Sequence, residues 1–211
     1  MKKLLLLTLI LFGEAFAAES AIYKVTFKSL WNAKDHVSFP SNAHFSDIVA
    51  ISHNSDFQLF SLGKKVTKGF EDLAELGRTG DLLQEIDQAR SLGTVQDLQT
   101  ASALFPRRDG DTVIFSVEVS KESPLLSFAT MIAPSPDWVV GINNFNTFRN
   151  GQFVKSIAID LIAIDAGTED GDFAGNFSIN NAPTSPQQEA GLLNHLSGLD
   201  LPFATVLIEK M

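Results

Sequence analysis

The sequence predicts a mainly β protein, an antiparallel β-sandwich with a short helical insert. Several segments alternate apolar and polar side chains with the period of two that is typical of half-buried strands. Residues 67–93 differ, because their apolar side chains recur at helical spacing and each run ends at a glycine. Two packed sheets with helices attached fit both patterns.

The predicted strands follow one another along most of the chain. In the first, residues 21–28, the side chains of Tyr23, Val25 and Phe27 share one face and alternate with polar ones. Further strands are predicted at residues 112–120, 125–132, 138–142, 153–164 and 204–208. The run at 153–164 is the longest of them.

Two short helices are predicted between the first strand and the later ones. The first carries a stripe of Phe70, Leu73 and Leu76 and ends at Gly77. The second is predicted to begin with Asp81 as its N-cap, to bury Leu82, Ile86 and Ala89, and to end at Gly93. We expect this pair to cover one end or edge of the sandwich.

The N-terminus has the features of a secretory signal peptide. Lys2 and Lys3 precede an apolar run, and Ala15-Phe16-Ala17 offers small residues for cleavage. The sequence therefore predicts a signal peptide over residues 1–17 and a single domain over residues 18–211. No later run reaches the roughly 20 apolar residues of a membrane-spanning helix. We expect a secreted protein, extracellular or periplasmic, that is not an integral membrane protein.

The composition excludes several classes of protein. The chain has no cysteine, so it has no disulfides, no cysteine zinc site and no thiol nucleophile. Together with the short Lys-Lys signal, this favours a bacterial source. Its 25 acidic residues against 16 Lys and Arg argue against nucleic acid or an anionic membrane as partner.

Acidic side chains form two groups on loops rich in Pro, Gly and Ser. Asp137 lies in PSPDW, while Asp165, Glu169 and Asp170 lie in IDAGTEDG, with a predicted strand between the groups. Carboxylates on turns at opposite ends of paired strands suit Ca²⁺, which takes several oxygen ligands in flexible geometry. The alternatives are a turn-capping role for Asp137 and a solvated loop for the others.

The phrases around these acids resemble a known family over most of the chain. In order, they are Trp31, Phe39-Pro40, Ala43-His44-Phe45-Ser46, His53-Asn54, Ala74-Glu75-Leu76-Gly77, Pro134-Ser135-Pro136-Asp137-Trp138, Gly141 and Asp165-Ala166-Gly167-Thr168. This series resembles the spondin domain family, the F-spondin- and mindin-type N-terminal module.

The resemblance implies a β-sandwich similar to calcium-dependent membrane-binding modules. It also implies Ca²⁺ bound by Asp137, Asp165 and Glu169, where the family often has Asp at the third position and Asp170 is an adjacent competitor. The chain departs from the family in having no cysteine, and it lacks thrombospondin repeats. Adhesive roles that depend on those repeats are therefore not carried over.

Other polar and aromatic side chains have two interpretations. His36, His44 and His53 lack metal-ligand spacing, so structural hydrogen bonding is expected rather than zinc. Side chains that follow Asp137 along the chain are candidates for contact with a ligand beside the ion, namely Trp138, Asn143, Asn144 and Phe145. The alternative is that they only pack the rim of the sandwich.

The expected function is calcium-dependent recognition or adhesion without catalysis. The partner would be a cell-surface or matrix ligand, either a glycan or a protein. Alternatives are calcium-dependent lipid contact, a structural role in an exported assembly, and glycan hydrolysis by Asp137 with Asp165 or Glu169. The sequence has no nucleophile elbow, P-loop or dinucleotide fingerprint.

Overall fold

A computed structural model describes residues 19–36, 38–106, 111–170, 191–192 and 201–211. The predicted signal peptide at residues 1–17 lies outside the described residues. The strands are β1 (Ser20–Ser29), β2 (His44–Phe45), β3 (Ile48–His53), β4 (Val95–Ala101), β5 (Thr112–Ser120), β6 (Leu125–Ala133), β7 (Trp138–Asn146), β8 (Phe148–Arg149), β9 (Gln152–Phe153), β10 (Ser156–Leu161), β11 (Ile164–Asp165), β12 (Gly191–Leu192) and β13 (Ala204–Lys210). The helices are α1 (Lys68–Leu76) and α2 (Gly80–Ser91).

The strands form two antiparallel sheets, which confirms the predicted β class. The smaller sheet has the order β10-β13-β1-β5. The larger sheet has the order β12-β11-β7-β6-β3-β4, with β2 paired to β6. Strands β8 and β9 form a separate hairpin. The architecture is a β-sandwich.

The main core lies between the two sheets. Tyr23, Val25 and Phe27 of β1 are fully buried there, as their alternation predicts. From the larger sheet, Phe128 and Val140 belong to the same apolar cluster. Burial of this apolar surface is the principal stabilising contribution to the sandwich.

Both helices form where the sequence predicts them. The Thr67 hydroxyl accepts a hydrogen bond from the Phe70 amide (3.3 Å) and caps α1, which ends at Gly77 in the left-handed conformation (φ 64°). The predicted N-cap of α2 is wrong: the cap is Thr79, and Asp81 lies in the first turn. At that position Asp81 favours the helix through its dipole instead.

The predicted placement of the helices is also wrong. They pack on the outer face of the larger sheet, not on an end or edge of the sandwich. Their buried side chains, including Phe70, Leu73 and Ile86, share a second apolar cluster with Val49 and Ile51 of β3. Every residue of β3 is buried, because one face meets the sandwich core and the other meets the helices.

The long apolar run at residues 153–164 is not one strand. It includes the last residue of β9, all of β10 and the first residue of β11. Strand β10 pairs with β13 in the smaller sheet, whereas β11 pairs with β7 in the larger one. The chain therefore changes sheets after Leu161, and this change brings Asp165 beside the start of β7.

The described part of the chain contains no helix long and apolar enough to cross a membrane.

Candidate metal centre

Two paired strands place Asp137 and Asp165 side by side. Asp137 immediately precedes β7, and Asp165 is the last residue of β11, opposite Trp138 in the antiparallel register. The Ala166 amide donates to the Asp137 carbonyl oxygen (3.1 Å) and extends this pairing by one step. Two acids distant in sequence thus meet at one end of the larger sheet, as the family resemblance implies.

Asp137 is buried, with only 1% of its surface exposed. Its Oδ2 accepts hydrogen bonds from the Thr168 amide (2.6 Å), the Glu169 amide (3.0 Å) and the Thr168 hydroxyl (3.3 Å). Its Oδ1 is buried and has no hydrogen-bond partner among the described residues. One carboxylate oxygen therefore holds the 168–169 turn, and the other remains without a donor.

The electrostatics of Asp137 are unfavourable in the protein alone. Burial and then the neighbouring Asp165 charge raise its pKa to about 7, although the hydrogen bonds from residues 168 and 169 oppose the rise. A carboxylate in such surroundings favours either a proton or a cation.

Asp165 shapes the turn that follows it. Its Oδ1 accepts a hydrogen bond from the Gly167 amide (2.7 Å), and Gly167 has φ 73°, a conformation that glycine adopts at little cost. This turn directs Thr168 and Glu169 back toward Asp137. The glycine in the DAGT phrase therefore permits this turn.

Glu169 adds a further oxygen that has no partner in the described structure. Its Oε2 is buried without a hydrogen bond. Burial, followed by the charges of Glu75, Asp170 and Glu71, raises its pKa. Its backbone amide donates a hydrogen bond to Asp137 Oδ2 (3.0 Å). Because the Asp170 charge contributes to the raised pKa of Glu169, Asp170 lies near this site.

Glu75 of α1 also belongs to this acidic region, and sequence analysis did not assign it there. Burial raises its pKa, and the Thr168 hydroxyl is within hydrogen-bonding reach of both Glu75 and Asp137. The signal that could have identified it is the Ala74-Glu75-Leu76-Gly77 phrase. Without that phrase, a charged residue in the last turn of a helix is expected to be solvated and to have no role at a site.

The side-chain oxygens of this region have the chemistry that a hard cation requires. Asp137 Oδ1 and Glu169 Oε2 are buried oxygens without partners, and Asp165 adds a nearby negative charge. Oxygen ligands of this kind suit Ca²⁺. Among residues 19–36, 38–106, 111–170 and 201–211, however, no three His, Asp or Glu side chains are already arranged as a metal cluster.

The aromatic and amide groups considered for ligand contact beside the ion have packing and hydrogen-bonding roles within the sandwich. Trp138 is 1% exposed and Phe145 is 8% exposed, and both belong to the core. The Asn143 side-chain amide donates to the Phe60 carbonyl oxygen, and the Asn144 backbone amide donates to Ser127 Oγ (2.8 Å). These side chains pack the sandwich along β7, which is the alternative interpretation.

The three histidines among the described residues make contacts within the protein, as expected. His53 is fully buried, with Nδ1 2.8 Å from the Asn54 carbonyl oxygen and Nε2 2.8 Å from Ser127 Oγ. Since a carbonyl only accepts, Nδ1 carries the proton. His36 is buried against the Phe203 ring at 4.8 Å between centroids. His44 contacts the Asn42 carbonyl oxygen at 2.8 Å.

A surface cavity lies beside the acidic region. Its volume is about 410 Å³, and its lining includes Glu75, Pro134, His44 and Phe105. The His44 and Phe105 rings stack at 4.6 Å with an angle of 14° between planes. Pro134 starts the PSPDW phrase, so this cavity adjoins the candidate metal centre.

Comparison with known proteins gives one consistent result. Residues 21–198 match the protein family described as Spondin_N. The chain is 33% identical over 182 residues to Spondin-2 of Homo sapiens (83% of this chain, 54% of the relative). It is 33% identical over 172 residues to Spondin-2 of Rattus norvegicus (79% and 51%) and 32% identical over 196 residues to Spondin-1 of Gallus gallus (89% and 24%).

The chain spans about half the length of the Spondin-2 relatives and about a quarter of Spondin-1. All three of these relatives are vertebrate proteins, so they give no support to the expected bacterial source.

Proposed function

The chain belongs to the Spondin_N family, and on that premise we propose that it is a secreted, calcium-binding protein of recognition or adhesion. Family membership supports a spondin-type role, and the apolar N-terminal run with its small-residue site supports export. Calcium binding, the partner and the absence of catalysis are our inferences.

The observation that carries the calcium proposal is the buried Asp137 carboxylate. One of its oxygens has no donor, and its charge is opposed by both burial and Asp165. A protein that keeps two carboxylates so close gains stability when a cation binds between them. Asp137 and Asp165 would supply two ligands, and Glu169 would supply the third.

Backbone carbonyls and water would complete the coordination, because Ca²⁺ takes six to eight oxygen ligands and three carboxylates cannot provide them all. Extracellular modules bind Ca²⁺ at about 10⁻⁴ to 10⁻³ M. We expect an affinity in that range, since Glu169 is only partly buried and its loop must adjust to place the third ligand.

The burial of Asp137 supports a non-catalytic role. A glycan hydrolase needs two carboxyl groups that both reach the scissile bond. Asp137 is almost inaccessible, and its Oδ2 is occupied by three hydrogen bonds from residues 168 and 169. The carboxylate pair is therefore better suited to an ion than to a sugar.

The cavity beside the metal centre is our candidate for the ligand surface. It presents the stacked His44 and Phe105 rings together with polar groups, a combination that accepts a glycan or a protein side chain. Calcium would hold the Pro134–Asp137 and 165–169 segments in place beside it. The partner would be a cell-surface or matrix ligand.

The test is binding of the purified protein to cells or a glycan array, with calcium and with chelator. We expect chelator and Asp165→Asn each to reduce binding while the circular dichroism spectrum is unchanged. Phe105→Ala should reduce binding without changing calcium affinity. Binding that resists all three changes would exclude this surface as the ligand site.

A further inference from the structure

The β8–β9 hairpin lies at the end of the sandwich opposite the metal centre. Asp137 immediately precedes β7, and the hairpin follows β7 after a single residue, Thr147. An extended strand rises about 3.3 Å per residue, so β7 separates the two places by roughly 25 Å. Binding at the hairpin can therefore be tested independently of calcium.

Exposed cations gather around this hairpin in a chain whose net charge is −9. Arg149, Lys155 and Lys210 are exposed, and the Lys210 amide donates to the Lys155 carbonyl oxygen (2.9 Å). None of the three forms an ion pair with an acid in the described part of the chain, whereas nearby Lys121 pairs with Glu19. Their positive charges are therefore available to a partner.

Two of these cations line one concavity of about 290 Å³. Its lining is Arg149, Asn150, Gln152, Phe153, Val154 and Lys155. The polar side chains are two cations and two amides, and no carboxylate lines the concavity. All four can donate hydrogen bonds to an anionic oxygen.

The hairpin holds its cations in position. Asn150 (φ 53°) and Gly151 (φ 77°) form a two-residue turn of the kind that joins twisted strands tightly. Arg149 lies over the Phe145 ring at 5.0 Å and donates from Nε to the Asn146 carbonyl oxygen (2.8 Å).

A second cation–π contact involves Lys210, beside the concavity. The Lys210 ammonium lies 5.5 Å from the centre of the Phe153 ring. Such cation–π contacts restrict long side chains before a ligand arrives and reduce the entropy lost on binding.

We propose that this concavity, the hairpin site, binds an acidic glycan through one sulfate or carboxylate group. A small anionic group matches the volume and the donors of the site. An extended anionic surface such as a bilayer or a nucleic acid would face repulsion from the rest of the chain. The hairpin tip, Asn150-Gly151, also has no apolar side chain to insert into a membrane.

The experiment is biolayer interferometry with immobilised heparin, a sulfated glycan, and with hyaluronate, whose only anionic group is a carboxylate. It is performed in chelator at low ionic strength. We expect binding that weakens at higher salt and falls about tenfold or more in Arg149→Gln/Lys155→Gln, since each variant removes a charged donor. Lys155→Gln alone, an exposed change, should give a smaller loss in the same direction.

Lys64→Gln/Lys65→Gln is the matched control, because both lysines are exposed and outside the hairpin site. It removes the same charge and should leave binding within about twofold. Binding to heparin alone assigns a sulfate group, and binding to both glycans assigns an anion of either kind. Phosphatidylserine vesicles are a third probe under the same conditions. Absence of binding to both glycans, equal losses in the two double variants, or binding only to the vesicles would overturn the proposal. None of these results depends on the calcium site.

Discussion

Asp137→Asn should stabilise the metal-free protein above pH 7 and also remove its response to calcium. The asparagine carbonyl can accept the hydrogen bonds that Oδ2 now accepts from residues 168 and 169. Its amide group would replace Oδ1, which has no donor. The variant thus keeps the turn and removes a buried charge beside Asp165.

The size of this effect follows from the raised pKa of Asp137. The pKa rises from 3.8 to about 7, so the folded state holds the proton more tightly than the unfolded state. At about 1.4 kcal/mol per pH unit, the charged carboxylate costs up to about 4 kcal/mol above pH 7. Asparagine must also be buried, so we expect a net gain of about 1 to 3 kcal/mol.

Urea unfolding in chelator at pH 8 measures this gain. The difference between variant and wild type should shrink as pH falls from about 7 toward 4, because protonation then removes the same charge from wild type. Asp160→Asn, a change at an exposed position on β10, is the control and should have little effect. If Asp137→Asn is less stable than wild type in chelator at pH 8, the electrostatic account of this site is wrong.

Two further predictions concern packing, and one concerns the pH dependence of stability. Gly141→Ala should lower the free energy of unfolding by about 1 to 3 kcal/mol, since its Cβ would overlap the backbone of β6; unchanged urea unfolding would contradict that packing. Gly69→Ala should have a similar cost, measured in the same way, because its Cβ would overlap the backbone of α2, and an unaffected midpoint would mean that the helices are less closely packed. Burial lowers the pKa of His53 and of His36, so in the Asp137→Asn background the stability that neutral histidine provides should be lost as pH falls below about 6.5, measured by unfolding at pH 7 and 5. Equal stability at both pH values would show that burial does not lower the pKa of these histidines.

Alternation predicted those strands that have one buried face and one solvated face. Strand β1 is of this kind, and its predicted face of Tyr23, Val25 and Phe27 is fully buried. Strands β5 and β13 were predicted as well, and their buried and exposed side chains also alternate. Strand β3 was not predicted, because it is buried on both faces and has no alternation. The same fact explains the wrong placement of the helices, which cover the second face of β3.

Local periodicity also cannot show where a chain passes from one sheet to the other. Residues 153–164 are apolar almost throughout, yet they contribute to three strands with different partners. The break depends on which strands compete for pairing, and that is a property of the whole fold.

At the candidate metal centre, the positions of residues at strand ends could be predicted from sequence better than those of residues elsewhere. Asp137 and Asp165 meet because antiparallel pairing fixes their positions. Glu75 comes from a helix whose packing could not be predicted, and the charge of Glu169 is affected by that helix. For Trp138 and Phe145, both ligand contact and packing were open, because alternation does not state which sheet face is covered; the structure places both in the core.

Calcium binding by Asp137, Asp165 and Glu169 is the central claim, and isothermal titration of the folded chain with calcium tests it most directly. We expect one Ca²⁺ per chain, with a dissociation constant of about 10⁻⁴ to 10⁻³ M. Asp165→Asn should abolish the binding heat and Glu169→Gln should weaken binding, while the exposed control Asp160→Asn should bind as wild type does. No binding by folded wild type at millimolar calcium, or undiminished binding by Asp165→Asn, would contradict the claim.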